Sequence, residues 1–332
     1  MTLVSDDLPA MKELSSHQEL DDLFVCALGF EDRCTEALRK LTQWGYKAQD
    51  SIILKYDVHQ EDNDINSKEL KELIDQITLR EIREIKYSTT SVLDSFHEIK
   101  SCLEVINYET AVNQTSVDIS SFSTGAIFQV LDSLFRSGRS QIRIIYTEAA
   151  EYYPKKAPAR FDEEYMSAGV REILTLPNFG GVYTPGYSPL LVILLGFEPK
   201  RARGILNMFQ PSRKIGIIGV PNRNDLKWRL ELAREMYQNF FEEGKILEYS
   251  EFDYREVYKA LENLYGDFAQ MNNITIAPLG SKMQTLAVLL FLEKHPDVQL
   301  LVSIPTKYDP RRYSEGKGES YQISFTPGKE SE

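Results

Sequence analysis

The residues best suited to chemistry fall into two short patterns, each written twice. Phe24–Arg33 ends an apolar run in Gly29, Glu31 and Arg33, and Val192–Lys200 ends another in Gly196, Glu198 and Lys200, with Arg201 and Arg203 next. A second pattern places Ser120, Ser121, Ser123, Thr124 and Gly125 after one strand-like run and Gly280, Ser281 and Lys282 after another. Hydroxyls and exposed amides at the positive end of a helix dipole seat an anion. A carboxylate beside them accepts from ribose hydroxyls or a base edge, and a cation meets phosphate. The same residues also have an architectural use. Ser and Thr cap helices, Gly allows a tight turn, and the pairs Glu31/Arg33 and Glu198/Lys200 can be salt bridges that hold the first loop.

Charge placement bears on that choice. The chain carries 38 basic and 50 acidic residues, a net charge of −12, so an anion must be met locally and a sequence-nonspecific nucleic-acid coat is disfavoured. Between Gly196 and Lys214 the basic residues Lys200, Arg201, Arg203, Arg213 and Lys214 face the single acid Glu198. Thr306 and Lys307 open a second stretch, in which Lys307, Arg311, Arg312 and Lys317 outnumber Asp309 and Glu315. Both runs are expected at strand ends. Tyr152, Tyr153, Tyr183, Tyr187, Tyr308 and Tyr313 lie in loops, where they can stack on bases or pin the chain.

Four matches in one order show what must position these residues. The Gly-Phe-Glu segments recur at an offset of 167 residues; Ser51–Asp57 pairs with Lys214–Val220, Ser116–Gly125 with Asn273–Lys282, and Ile142–Thr147 with Leu300–Thr306. Each of the last pair is trailed by Tyr and Pro, basic residues and then Ser-x-Gly, at Ser167–Gly169 and Ser314–Gly316. Strands alternating with helices mean βαβ units and a parallel sheet. The expected fold is therefore α/β: two tandem Rossmann-like repeats with mostly parallel sheets, in a pseudo-twofold arrangement. The expected boundaries are an acidic segment 1–22, a first repeat 23–178, a Gly/Pro-rich linker 179–189, a second repeat 190–326 and a tail 327–332. Ligands in such sheets sit beyond the carboxyl ends of the strands.

Several chemistries lack their residues. There is no G-x-G-x-x-G after the first strand, and Leu279-Gly-Ser-Lys-Met283 has only part of a phosphate loop. His17, His59, His97 and His295 fall outside the repeated turns, so neither a triad nor a metal box can be drawn, and no metal or cofactor is expected. Cys26, Cys34 and Cys102 are odd in number and lack C-x-x-C spacing, which fits a reducing cytoplasm. The acidic start is unlike a signal peptide, and the longest apolar run, Leu190–Phe197, is far short of a membrane span.

Two Rossmann-like units, the turn Ala277-Pro-Leu-Gly-Ser-Lys-Met283 and the later Thr306-Lys-Tyr-Asp-Pro310 resemble the CRISPR-associated Rossmann-fold (CARF) sensors. The resemblance covers most of the chain as architecture but about ten residues as motif. It implies binding of a cyclic oligoadenylate across a twofold axis by the turns after the first and fourth strands. Gly280, Ser281 and Lys282 match that second turn; Ser123, Thr124 and Gly125 match it without the lysine. The Gly-Phe-Glu motif and the fusion of two copies depart from the family pattern. The expectation is a cytoplasmic nucleotide sensor, in prokaryotic defence, that binds an anionic nucleotide and signals to a protein effector. The alternatives are a metal-independent cyclic-oligonucleotide phosphodiesterase, with Lys282 stabilising charge and Ser281 or Thr124 orienting the 2′-hydroxyl, and a protein-interaction scaffold.

Overall fold

The computed structural model describes residues 8–16, 20–88, 91–106, 114–156, 167–242 and 245–326. The chain first runs β1 (Lys12–Glu13), β2 (Asp21–Leu28), α1 (Glu36–Gln43), β3 (Ala48–Tyr56), α2 (Gln60–Asp64), α3 (Ser67–Ile77), β4 (Ile82–Tyr87), α4 (Val92–Val105), β5 (Gln114–Asp118), α5 (Thr124–Arg136), β6 (Gln141–Thr147) and β7 (Glu151–Tyr152). Next come β8 (Ser167–Ala168), β9 (Glu172–Leu174), β10 (Ser188–Leu195), α6 (Pro199–Phe209), β11 (Arg213–Val220), α7 (Trp228–Tyr237), β12 (Ile246–Ser250), α8 (Tyr254–Phe268), β13 (Asn272–Pro278), α9 (Lys282–Lys294), β14 (Gln299–Leu300), β15 (Val302–Ile304) and β16 (Lys307–Tyr308). The chain closes with β17 (Ser314–Glu315) and β18 (Ser320–Phe325). The side chain of Lys307 and the expected tail 327–332 lie outside the described residues, as do 1–7 and 17–19 of the acidic segment.

Burial explains the elements. Every residue of β2 is buried, as are Leu190–Leu195 of β10, because a strand covered on both faces can carry an unbroken apolar run. Helix α1 buries Ala37, Leu38 and Leu41, and α3 buries Leu70, Ile74 and Ile77, the spacing of a single face. Helix α9 is buried from Met283 to Leu292 without interruption.

The chain divides into two compact units, 1–152 with 314–332, and 153–313. The first holds a seven-stranded sheet in the order β1-β18-β6-β5-β2-β3-β4, parallel except at β18 and β1. The second holds a wholly parallel five-stranded sheet, β12-β11-β10-β13-β14. Both repeats therefore place their strands third, second, first, fourth, fifth, so these are two Rossmann-like repeats. The order reverses between β2 and β5 in one and between β10 and β13 in the other.

The trailing segments cross over. Strand β18 pairs antiparallel with β6, from Ser320 against Thr147 to Phe325 against Ile142, and β17 pairs with β7. In the second unit β9 pairs with β15 and β8 with β16. The segment that follows the first repeat in sequence thus packs with the second, and the one that follows the second packs with the first. Packing places residues 153–178 in the second unit and 314–326 in the first, where the sequence order had put each with the repeat before it. An edge strand accepts any segment offering unpaired amides and carbonyls, and periodicity does not encode which copy it joins.

Candidate functional site

At the first switch point the loop after β2 meets the turn after β5. A Cβ at Gly29 would stand 2.8 Å from the Ser121 Cβ, so this glycine is required for close approach of two backbone segments. Asn66 Nδ2 donates to the Gly29 carbonyl at 2.9 Å, and Ser121 Oγ donates to the Ala27 carbonyl at 2.7 Å. Ser120 Oγ donates to Asp118 and accepts from the Thr147 amide, tying β5 to β6. Ser123 caps α5, its Oγ accepting from the Ala126 amide at 3.2 Å. The Ser123 amide itself donates to the Tyr56 hydroxyl at 2.7 Å, and that hydroxyl donates to the Ser121 carbonyl. Tyr56 and Tyr87 meet edge to face at 5.4 Å, and the Tyr87 hydroxyl stands where a side chain at Gly125 would go. Burial pushes Tyr56 up to about 12, which keeps it a neutral donor and acceptor. In this copy a tyrosine hydroxyl occupies part of the anion seat expected from the sequence.

Glu31 and Arg33 form a buried ion pair, Nη2 to Oε1 at 2.6 Å, with side-chain exposures of 6% and 3%. Arg33 Nη1 donates to the Thr147 carbonyl at 3.2 Å, and Ser314 Oγ donates to Glu31. Gly316 N donates to Asp32 and Lys317 Nζ to Thr35 Oγ1, so the 314–317 segment is fastened along the start of the first helix. Cys34 Sγ donates to the Gly29 carbonyl and burial pushes this thiol up to about 12, which removes it as a nucleophile.

The second copy repeats the plan with different residues. A Cβ at Gly196 would fall 2.3 Å from the Leu279 carbonyl oxygen, and Tyr237 OH donates to the Gly196 carbonyl at 2.7 Å. Glu198 accepts from Arg201 Nη1 at 3.0 and 3.2 Å and from Ser167 Oγ; Arg201 also donates to the Ser303 carbonyl and, at 2.7 Å, to Ser303 Oγ. Glu, Arg, a backbone carbonyl (Thr147 at the end of β6, Ser303 in β15) and the serine of a trailing Ser-x-Gly thus recur as one cluster in each unit. Ser281 caps α9 in a full capping box: its Oγ accepts from the Gln284 amide, and its own amide donates to Gln284 Oε1 at 3.0 Å. A Cβ at Gly280 would lie 1.9 Å from that Oε1, so a side chain there would displace the Gln284 amide from the capping box. Lys282, the first residue of α9, holds its Nζ 5.9 Å from the centre of the Tyr313 ring.

The partner of Glu198 is thus Arg201, where the sequence pairing named Lys200. Helix α6 starts at Pro199, and a separation of three residues puts two side chains on one helical face. The basic run is also divided. Arg201 is bonded to Glu198, and Arg203 stacks over Phe240 at 5.1 Å. Arg213 opens β11, at the opposite end of the sheet, because the 11 residues of α6 carry the chain back by roughly 16 Å. The second run divides between units: Arg312 lies over Tyr153 at 5.9 Å in one, and Lys317 reaches Glu36 and Thr35 in the other. Thr306 is exposed, its Oγ1 beside the Gly169 position. Asn66, Tyr56 and Tyr237 complete these loops without any signal in the sequence pattern, whereas Gln284 could have been found from the Ser-x-x-Gln spacing of a capping box. His59 sits on a left-handed residue with Nδ1 3.8 Å from Asp62. Among the described residues no group of three His, Cys, Asp or Glu could hold a metal ion, and no helix is long and apolar enough to cross a membrane.

Fold and site together define a chain with two Rossmann-like units, each with a small-residue, hydroxyl-bearing turn at its switch point. No family model matches the chain, and no curated protein matches it in sequence. Among solved structures it is similar to a type III CRISPR defence DNA nuclease activated by cyclic oligoadenylate, at a TM-score of 0.50 and 10% identity, over 89% of this chain and 67% of that one. It also matches a functionally unknown protein from Pseudomonas aeruginosa PAO1, at a TM-score of 0.25 and 10% identity, over 86% of this chain and 93% of that one. A third match is the cytoplasmic domain of a prokaryotic cation chloride cotransporter, at 0.24 and 8% identity, over 88% and 99%. The first supports the fold; the other two are too distant to add to it.

Proposed function

We propose that the chain is a CARF-like sensor subunit that binds an anionic nucleotide of the cyclic oligoadenylate class in the cytoplasm and passes the signal to a protein effector. The observation that carries this reading is the shared plan: the same strand order in both repeats, each with a Ser-capped helix opening at the switch point, in a fold similar to a nuclease that cyclic oligoadenylate activates. The second copy supplies the cation. Lys282 stands at the first position of α9 beside Gly280 and Ser281, where its charge adds to the helix dipole. The first copy supplies Thr124 beside the Tyr56-capped turn. Glu31, Arg33, Glu198 and Arg201 serve as the locks that hold these loops, the first pair against the end of β6 and the second against β15.

A thermal-shift screen over cyclic and linear oligoadenylates, with the products followed by chromatography, tests the proposal. A ligand-dependent stabilisation that Lys282→Ala removes supports it. A shift unchanged in that variant places the ligand elsewhere, and conversion of the ligand to linear products would make the protein a phosphodiesterase.

A further inference from the structure

The chain passes between its two units at two dipeptides, Tyr152-Tyr153 and Tyr313-Ser314. The second of these touches candidate-site residues on both sides, and the first reaches them through one intervening side chain on each side. Ser314 Oγ donates to Glu31, the buried carboxylate of the first unit, while the preceding residue, Tyr313, presents its ring to Lys282 of the second. At the other passage Tyr152 OH lies 3.4 Å from Tyr146 OH, which accepts from Arg33 Nη1 at 3.5 Å. Its neighbour Tyr153 gives its carbonyl to Arg229 Nη1 at 3.3 Å, and Arg229 lies 3.9 Å over Phe197 of the second Gly-Phe-Glu loop. One peptide bond therefore separates a contact of the Glu31/Arg33 lock from a contact of the second strand-end loops at Tyr313-Ser314, and the same linkage recurs at Tyr152-Tyr153 through Tyr146 and Arg229.

We infer that these two dipeptides are the regulatory linkage of the sensor. A change at the Lys282 turn that frees or grips the Tyr313 ring shifts Ser314, and with it the carboxylate that fixes the first unit's loop. The identity of the triggering ligand rests on the sensor reading; the linkage itself does not need it. Sites couple when both bias one element with two arrangements. Here that element is the 313–317 segment, fastened through Glu31, Asp32 and Thr35.

The test is hydrogen exchange of the amides in residues 29–36, read in the full chain without ligand. Lys282→Ala should change their protection by about two- to five-fold, the size of one exposed cation–π contact, and Lys282→Arg should not. Inserting Gly-Gly-Ser between Tyr313 and Ser314 should abolish the transmitted change. Tyr313→Leu, which leaves Lys282 in place, should reproduce the Lys282→Ala effect. Unchanged exchange at 29–36 in both Lys282→Ala and Tyr313→Leu, or a transmitted effect that survives the insertion, overturns the linkage. Adding cyclic tetra-adenylate separates the two claims. Binding that leaves 29–36 unchanged refutes the linkage and keeps the sensor reading; a Lys282→Ala effect without any binding keeps the linkage and refutes the sensor reading.

Discussion

Removing Arg33 should unfasten the first unit. Its guanidinium meets Glu31 at 2.6 Å with both side chains almost fully buried, and it also donates to the Thr147 carbonyl. Deleting one member of a buried pair strands the other charge and costs about 3–5 kcal/mol, whereas replacing both by apolar or neutral groups is far milder. Arg33→Met should therefore lose about 3–5 kcal/mol, which for a unit of this size is roughly 6–20 °C in Tm. Glu31→Gln/Arg33→Met should recover a substantial part, giving a non-additive double-mutant cycle. Calorimetry of the full chain reads this directly if two transitions are resolved, with the loss confined to one of them. A cost below about 1 kcal/mol for Arg33→Met, or a strictly additive double variant, would refute the buried-lock account.

Other expectations follow from the same geometry. Gly196→Ala should destabilise strongly, because its Cβ would meet a backbone oxygen at 2.3 Å, whereas Gly266→Ala, in open space within α8, should stabilise by about 0.5–1 kcal/mol; matched thermal melts decide. Tyr56 is raised by burial to about 12 from an ordinary value near 10, so the folded state holds its proton longer. The stability this contributes is complete below about pH 10 and is lost as pH rises towards 12, so the advantage of the wild type over Tyr56→Phe should narrow across that window in pH-dependent melts. Tyr152 and Ser314 are paired strand neighbours, so replacing 153–313 by Asn-Gly should close a hairpin and leave the first unit folded alone. A molten far-UV and near-UV circular dichroism signature would count against that.

Much of the fold was legible. Four matched segments in one order announced the duplication, and the unbroken apolar runs of β2 and β10 announced buried parallel strands. The strand-to-helix turns at Ser123 and Ser281 were equally visible, since a hydroxyl before an apolar helix is a cap whatever else it does. The partners were less so. That Arg201 takes Glu198 depends on where α6 begins, and that Tyr56 caps the first turn depends on β3 lying beside β2. The exchange of the trailing segments left its trace only as the repeated Ser-x-Gly. Ser314 and Ser167 serve carboxylates far away in sequence, and local pattern carries no record of such long-range contacts. Arg213 and Lys214 misled because proximity in sequence is not proximity in space when a helix intervenes.

Titration calorimetry of the purified chain with cyclic tetra-adenylate, alongside its Lys282→Ala variant and with linear tetra-adenylate as control, reaches the central claim most directly. Saturable heat for the cyclic ligand, weakened at least ten-fold by losing Lys282 and falling with added salt, is the result expected of an anion held at that turn. Absence of heat, or equal heat in the variant, would contradict it.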